Sequence, residues 1–116
     1  MTFGTYTRTA RERFRTQDPA YSVRKVAQRI GVEPAYLSKI ERDQTPPPSE
    51  ATIRRLANEL REDPDLLLAM AGKVSSDLRE VILRRPQLFA DLLRQLKDVP
   101  DHAILRVIRE VRDGDW

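Results

Sequence analysis

The residue types that carry most enzyme chemistry are scarce in this chain of 116 residues. It contains no cysteine, which excludes disulfides, thiolate zinc sites and thiol nucleophiles. The only histidine, His102, lies in an amphipathic stretch and is expected at the surface or at its boundary. No glycine-rich phosphate loop and no cluster with the spacing of metal ligands occurs. The sequence therefore predicts no enzyme, no cofactor and no metal site.

The charged residues instead favour binding of a polyanion by the first half of the chain. The formal net charge is +3, and residues 1–62 hold 12 Lys and Arg against 8 Asp and Glu. Residues 63–116 hold 9 against 10. A basic face is the electrostatic footprint of a nucleic-acid-binding protein. Because ordinary surface charge can give an excess of this size, a structural motif must support the interpretation.

Helical periodicity and capping residues predict an all-α chain. Ser22 and Ser49 are good N-caps, and Pro34 and Pro64 suit the first position of a helix. Gly31 can adopt the positive φ that ends a helix. The predicted helices are about 5–16, 23–30, 34–42, 50–60, 64–72, 77–84, 86–97 and one beginning near 101. Residues 73–116 are expected to be a helical extension of a domain formed by residues 1–72.

The second and third predicted helices have the residue pattern of two short helices that cross at a steep angle. Ala27 is small where the helices approach each other, and Gly31 lies in the turn between them. Apolar residues at fixed spacing complete the contact between the helices: Val26, Ile30, Val32, Leu37 and Ile40. This spacing is the helix-turn-helix pattern.

The segment SVRKVAQRIGVEPAYLSKIERDQTPPPSEATIRRLANEL resembles the Cro/phage-repressor type of helix-turn-helix, also called the XRE family of transcriptional regulators. The matching residues are Val26, Ala27, Gly31, Val32, Tyr36, Leu37, Ser38, Lys39, Ile40, Glu41, Pro48, Leu56 and Ala57. The resemblance covers about residues 3–72 and implies a five-helix, lambda-repressor-like DNA-binding domain. Asp43 departs from the family, which usually has glycine there. Because Asp tolerates left-handed backbone better than most residues, we expect strain but no change of fold.

The resemblance places the third helix, residues 34–42, in the major groove of double-stranded DNA. On matching positions it implies base contacts by a set of five residues: Glu33, Pro34, Ala35, Tyr36 and Lys39. Lys39 can donate to guanine acceptors, and Glu33 can accept from a cytosine amino group. Ala35 can contact a thymine methyl group. Tyr36 either does the same or packs its ring on the second helix, and the sequence does not decide between the two.

Phosphate contacts are expected at the edges of the same surface. Ser22 and the free N–H groups of Val23 and Arg24 form a helix N-terminus that suits a phosphate. Further candidates on this side are Ser38, Arg42, Gln44 and Thr45, while Lys25 and Arg29 either contact phosphate or are simply solvated. The resemblance also implies a structural ion pair between Arg11 and Glu41, which would fix the first helix against the third.

The last third of the chain carries more apolar side chains than a helix-turn-helix domain needs. Leu88, Leu92, Leu93 and Leu96 either close the protein's own core or form a dimer interface together with Ile104, Ile108 and Val111. We favour a homodimer, because one such domain makes too few base contacts for useful specificity. The expected function is a sequence-specific transcriptional regulator, a repressor that binds an inverted repeat.

An alternative of a different class is an antitoxin or a protease-controlled regulator, whose C-terminal helices bind a partner protein such as a toxin or a protease. A restriction–modification controller would share the same residues. No apolar run approaches the roughly 20 residues that span a bilayer, and residues 1–15 lack the apolar stretch of a signal peptide. We therefore expect no membrane contact and a cytoplasmic location, which in a bacterium includes the nucleoid.

Overall fold

A computed structural model describes residues 1–116 and contains eight α-helices, one short 3-10 helix and no strand. The prediction of an all-α fold is confirmed. The α-helices are α1 (Phe3–Arg15), α2 (Val23–Ile30), α3 (Pro34–Glu41), α4 (Glu50–Leu60), α5 (Pro64–Met70), α6 (Ser76–Arg84), α7 (Pro86–Leu96) and α8 (Asp101–Asp113). The chain divides into two compact units, Met1–Ser76 and Asp77–Trp116. None of the helices combines the length and apolar character that crossing a membrane requires.

Polar caps and prolines fix where the helices of the first unit begin. The Oγ of Ser22 accepts from the backbone N–H of Lys25 at 3.3 Å, and α2 begins at the next residue. Ser49 caps α4 in the same way. Pro34 and Pro64 are the first residues of α3 and α5. A proline is tolerated at this position because the first N–H groups of a helix have no partner within it.

Two residues with positive φ end helices in the first unit. Gly31 ends α2 with a φ of 77°, in the conformation that glycine adopts without steric cost. Arg61 ends α4 with a φ of 54°, although it has a side chain. Its guanidinium lies over the ring of Phe14, 5.7 Å from the ring centroid. This cation–π contact helps to offset the cost of the left-handed backbone at Arg61.

The structure differs from several of the predicted helix boundaries, and the fifth helix ends at Met70, two residues before its predicted end. The first helix begins at Phe3 rather than near residue 5, because the side chain of Thr2 caps it by accepting from the N–H of Thr5. A short 3-10 helix, Pro19–Tyr21, occupies the predicted loop before α2 and is capped by Asp18. The third helix ends at Glu41, one residue before its predicted end.

A single apolar core holds the first unit together. Val26, Ala27, Ile53 and Leu67 are almost completely inaccessible to solvent. The other buried apolar residues are Phe3, Ala10, Ile30, Leu37, Ile40, Leu56, Ala57, Leu60 and Leu68. All five helices α1–α5 contribute to this core, which therefore fixes the position of α2 and α3.

The second unit has no comparable core. None of the residues of α6, α7 and α8 is buried. Leu88 of α7 is 67% exposed, and Val111 of α8 is 61% exposed. Large apolar side chains on three amphipathic helices are thus left in contact with water, an unusual arrangement for a soluble protein.

Candidate nucleic-acid interface

The packing of α2 against α3 positions the candidate interface. Ala27 is fully buried, and its carbonyl accepts from the N–H of Val32 at 3.0 Å, which closes the turn at Gly31. Leu37 and Ile40 project from α3 into the core beside Val26. The buried side of α3 is therefore fixed, and its opposite side faces solvent.

A buried ion pair joins α1 to the end of α3. Arg11 donates from Nε to Oε2 of Glu41 at 2.7 Å and from Nη2 to Oε1 at 2.8 Å. The two side chains are 2% and 4% exposed. Arg11 also donates to the carbonyl of Tyr21 and to the carboxylate of Glu12. The hydrogen bond to Glu41 raises the pKa of Arg11 above its ordinary value, against the effect of burial.

The solvent-facing side of α3 carries the residues implied as base contacts. Glu33 is exposed at the start of the helix, and its side chain makes no capping hydrogen bond. Lys39, two turns further on, is exposed and has no ion-pair partner within the chain. Ala35 is exposed, Tyr36 is 36% exposed, and the first helical residue Pro34 is half-buried. The polar atoms of Glu33 and Lys39 are thus free to bind a ligand.

The residues implied as phosphate contacts border this side. The N–H groups of Val23 and Arg24 have no acceptor within the chain, as expected for the first residues of a helix. The Nε of Arg42 donates to the carbonyl of Ser38 at 3.3 Å, and its other guanidinium N–H groups stay free. After α3, Gln44 is exposed and Thr45 is half-buried.

Arg29 is exposed, yet its side chain has partners within the chain. Its Nε donates to Glu59 at 2.7 Å, and its Nη1 donates to the carbonyl of Ala20 at 2.7 Å. The guanidinium also lies 5.1 Å from the centroid of the Tyr21 ring. These contacts occupy the side chain, so Arg29 is not a free cation at the interface. Lys25, by contrast, is exposed.

Two arginines that the sequence analysis did not single out also lie beside the candidate interface. Arg8 and Arg15 of α1 line an open pocket that Arg42 and Val23 line as well. The sequence did contain a signal for them. Arg8, Arg11 and Arg15 are spaced so that they lie on one face of a helix. The family resemblance also implies that Arg11 pairs with Glu41 of α3.

The arrangement of α2, turn and α3 on a five-helix scaffold defines a helix-turn-helix protein. Residues 2–70 match the family model described as "Helix-turn-helix domain". Because the match extends over more than half of the sequence, the chain belongs to this family, which supports a DNA-binding regulator. Neither the comparison with curated proteins nor that with solved structures finds a match. In the structure, no group of three or more acidic or histidine side chains is arranged to hold a metal ion.

Proposed function

We propose that this protein is a sequence-specific transcriptional repressor of the XRE type, which binds an inverted repeat in double-stranded DNA as a homodimer. The observation that carries the proposal is the surface formed by α2 and α3. Val23 at the start of α2 lines the same pocket as Ser38 and Arg42, and Glu33 and Lys39 of α3 are exposed and unpaired. Such a surface offers donors for phosphates next to donors and acceptors for base edges.

The two kinds of contact have different roles in this proposal. Val23, Arg24 and Arg42 hold the phosphate backbone, which supplies much of the affinity and sets the register of the protein on the duplex. Lys39 and Glu33 then discriminate between base pairs in the major groove. Ser22, Ser38, Gln44 and Thr45 add polar contacts at the edges, and Tyr36 and Ala35 contribute apolar contacts to thymine or sugar.

The second unit supports the homodimer. Its helices bury none of their residues, although they carry large apolar side chains. Residues 77–116 contain eight Lys and Arg and eight Asp and Glu, so two copies of this unit do not repel each other through net charge. The net positive charge of the chain comes entirely from residues 1–76, where DNA would bind. A dimer would also double the base contacts and read two half-sites about one helical turn apart.

The proposal of a repressor rests on these two parts. A chain that binds DNA and pairs with a second copy acts most simply by occupying its site, at the nucleoid of a bacterium. The exposed apolar side chains of α7 and α8 also support a second candidate, in which a partner protein such as a toxin or a protease covers them. The oligomeric state of the purified chain separates the two candidates.

The first experiment is a binding selection from random duplex DNA at near-physiological salt, combined with a mass measurement by sedimentation. The proposal expects a palindromic motif and a mass of two chains at micromolar concentration. Recovery of no motif would contradict sequence-specific binding by this protein alone. A monomer that binds single half-sites would contradict the homodimer and favour the partner-protein candidate.

A further inference from the structure

An open pocket lies between α1, the start of α2 and the second half of α3. It has a volume of about 230 Å³, and Arg8, Arg15, Arg42 and Val23 are among its lining residues. A water molecule takes up about 30 Å³ in the liquid, so the pocket has room for a group as large as a phosphodiester. Three helices of the first unit thus contribute to one cavity.

The pocket has an excess of positive charge. Its lining contains four arginines and two glutamates. Glu41 is fully engaged by Arg11, and Glu12 bonds Arg11 at 3.1 Å. The contact of Glu12 with Arg15 is longer, 3.6 Å, and both side chains are about half exposed, so it neutralises little. Arg8 has no carboxylate partner, and the guanidinium of Arg42 bonds only a carbonyl.

The start of α2 adds further donors at the same place. Val23 is the first residue of α2 and lines the pocket. Its N–H group is free, and the positive end of a helix dipole favours an anion there. The pocket therefore combines guanidinium groups from two helices with a free helix N-terminus, a set of donors that fits a phosphate group.

We propose that Arg8 and Arg15 bind neighbouring backbone phosphates of the DNA duplex at this pocket, which makes α1 a third DNA-contacting helix beside α2 and α3. This inference rests on the proposed function and adds to it a contact between α1 and the backbone of the duplex. Arg8 and Arg15 are seven residues apart, so they follow one face of α1 over about 10 Å at 1.5 Å per residue. The same pocket is lined by Ser38 of α3 and by Arg42, the residue that follows this helix. A duplex bound along α3 therefore brings its backbone to the mouth of the pocket.

The test is the salt dependence of binding to a random-sequence duplex, which needs no knowledge of the operator. Binding constants are measured between about 50 and 200 mM salt for the wild type, Arg8→Gln, Arg15→Gln and the double variant. Each single substitution is expected to lower the steepness of log K against log salt by about 1, and the double substitution by about 2. The affinity is expected to fall for every sequence, while the ratio of the binding constants for selected and random DNA stays the same.

Arg13→Gln is the matched control. Arg13 is an exposed arginine of the same helix but does not line the pocket. Its substitution is expected to leave the salt dependence unchanged. Because Arg8, Arg13 and Arg15 are all exposed, the variants should unfold at the temperature of the wild type, and this measurement confirms that they are folded.

The outcomes separate this inference from the proposed function. If the wild type selects a DNA motif but the double variant has the salt dependence of Arg13→Gln, the inference is wrong and the proposed function stands. If the wild type binds no duplex DNA, both are wrong. Titration with inorganic phosphate gives a third outcome. Phosphate binding that the double variant loses, without a change in the salt dependence for DNA, would assign the pocket to a free anion and overturn the inference.

Discussion

The carboxylate of Asp43 accepts a hydrogen bond from the backbone N–H of Gly4 at 3.2 Å, across 39 positions of sequence. Its second oxygen accepts from the hydroxyl of Thr2 at 2.7 Å. Asp43 has a φ of 57°, the left-handed conformation for which glycine is usual. The aspartate therefore binds the N-terminus of α1 from the loop that follows α3, where the negative charge also suits the helix dipole. The expected strain is offset by these contacts.

This relationship predicts the order of stability of two variants at residue 43. Asp43→Ala loses the hydrogen bonds to α1 and keeps a side chain at positive φ, so it should reduce the free energy of unfolding by about 2 kcal/mol. Asp43→Gly loses the same hydrogen bonds but relieves the backbone, so its loss should be about 1 kcal/mol smaller. Urea unfolding of both variants measures the difference. Equal stability of Asp43→Ala and the wild type would show that the contact with Gly4 contributes nothing.

The buried pair of Arg11 and Glu41 leads to a second prediction. Glu41→Ala leaves the charge of Arg11 in a buried position and should reduce the free energy of unfolding by about 3 kcal/mol. The double variant Arg11→Met with Glu41→Leu should be more stable than Glu41→Ala, because an apolar pair needs no charge compensation there. Urea unfolding again gives the values.

Arg94→Ala is the control for a pair at the surface. Arg94 lies 3.9 Å from Asp91, and both side chains are mostly exposed. This substitution should change stability by less than about 0.5 kcal/mol. A loss in Glu41→Ala as small as the loss in Arg94→Ala would contradict a structural role for the buried pair.

A third prediction concerns the pH dependence of Glu50 in the first turn of α4. Ser76 donates its hydroxyl to Oε2 of Glu50 at 2.8 Å and its N–H at 3.4 Å. The hydroxyl contact is the main cause that holds the pKa of Glu50 below its ordinary value, and Arg54 adds to the effect while burial opposes it. The contribution of Glu50 to stability is therefore fully present above its ordinary pKa of about 4.5 and is lost as the pH falls through the lower folded-state pKa.

Ser76→Ala should raise the pKa of Glu50 toward its ordinary value and weaken this loss of stability in acid. A carbon-detected NMR titration of the glutamate carboxyl groups measures the pKa directly. Glu50→Gln, which removes one titrating signal, identifies the resonance. An unchanged pKa in Ser76→Ala would contradict the hydroxyl of Ser76 as the cause.

The local part of the fold could be predicted from the sequence, because single side chains determine where helices begin and end. Ser22 and Gly31 bound α2 at the predicted residues, and Ser49 bounds the start of α4. The helical pattern predicts a later start for α1 than the structure has, because Thr2 caps the helix before the first strongly periodic residue. Capping is a contact over three residues, so it is visible in the sequence.

Contacts between distant residues could not be predicted in the same way. Arg29 looked like a free cation, yet its partner Glu59 lies 30 positions away. Arg8 and Arg15 share a helix face with Arg11, which the sequence shows, but the pocket that they share with Arg42 depends on how α1 packs on α3. Only the family resemblance implies the pairing of Arg11 with Glu41. Side-chain networks of this kind depend on the tertiary packing, for which one sequence offers no local signal.

The last prediction tests the assignment of Lys39 to a base edge. Lys39→Ala should lower the discrimination at one base position by about 1–3 kcal/mol and leave the other positions of the selected motif unchanged. Arg42→Ala, directly after the same helix, is the matched comparison, because loss of a phosphate contact should weaken binding to all sequences and reduce the steepness of the salt dependence by about 1. Both side chains are exposed, so neither substitution should alter the fold. Competition binding against single-base variants of the selected motif measures the discrimination. If Lys39→Ala weakens all sequences equally, Lys39 contacts phosphate, and the base contact has to be reassigned to Glu33 or Tyr36.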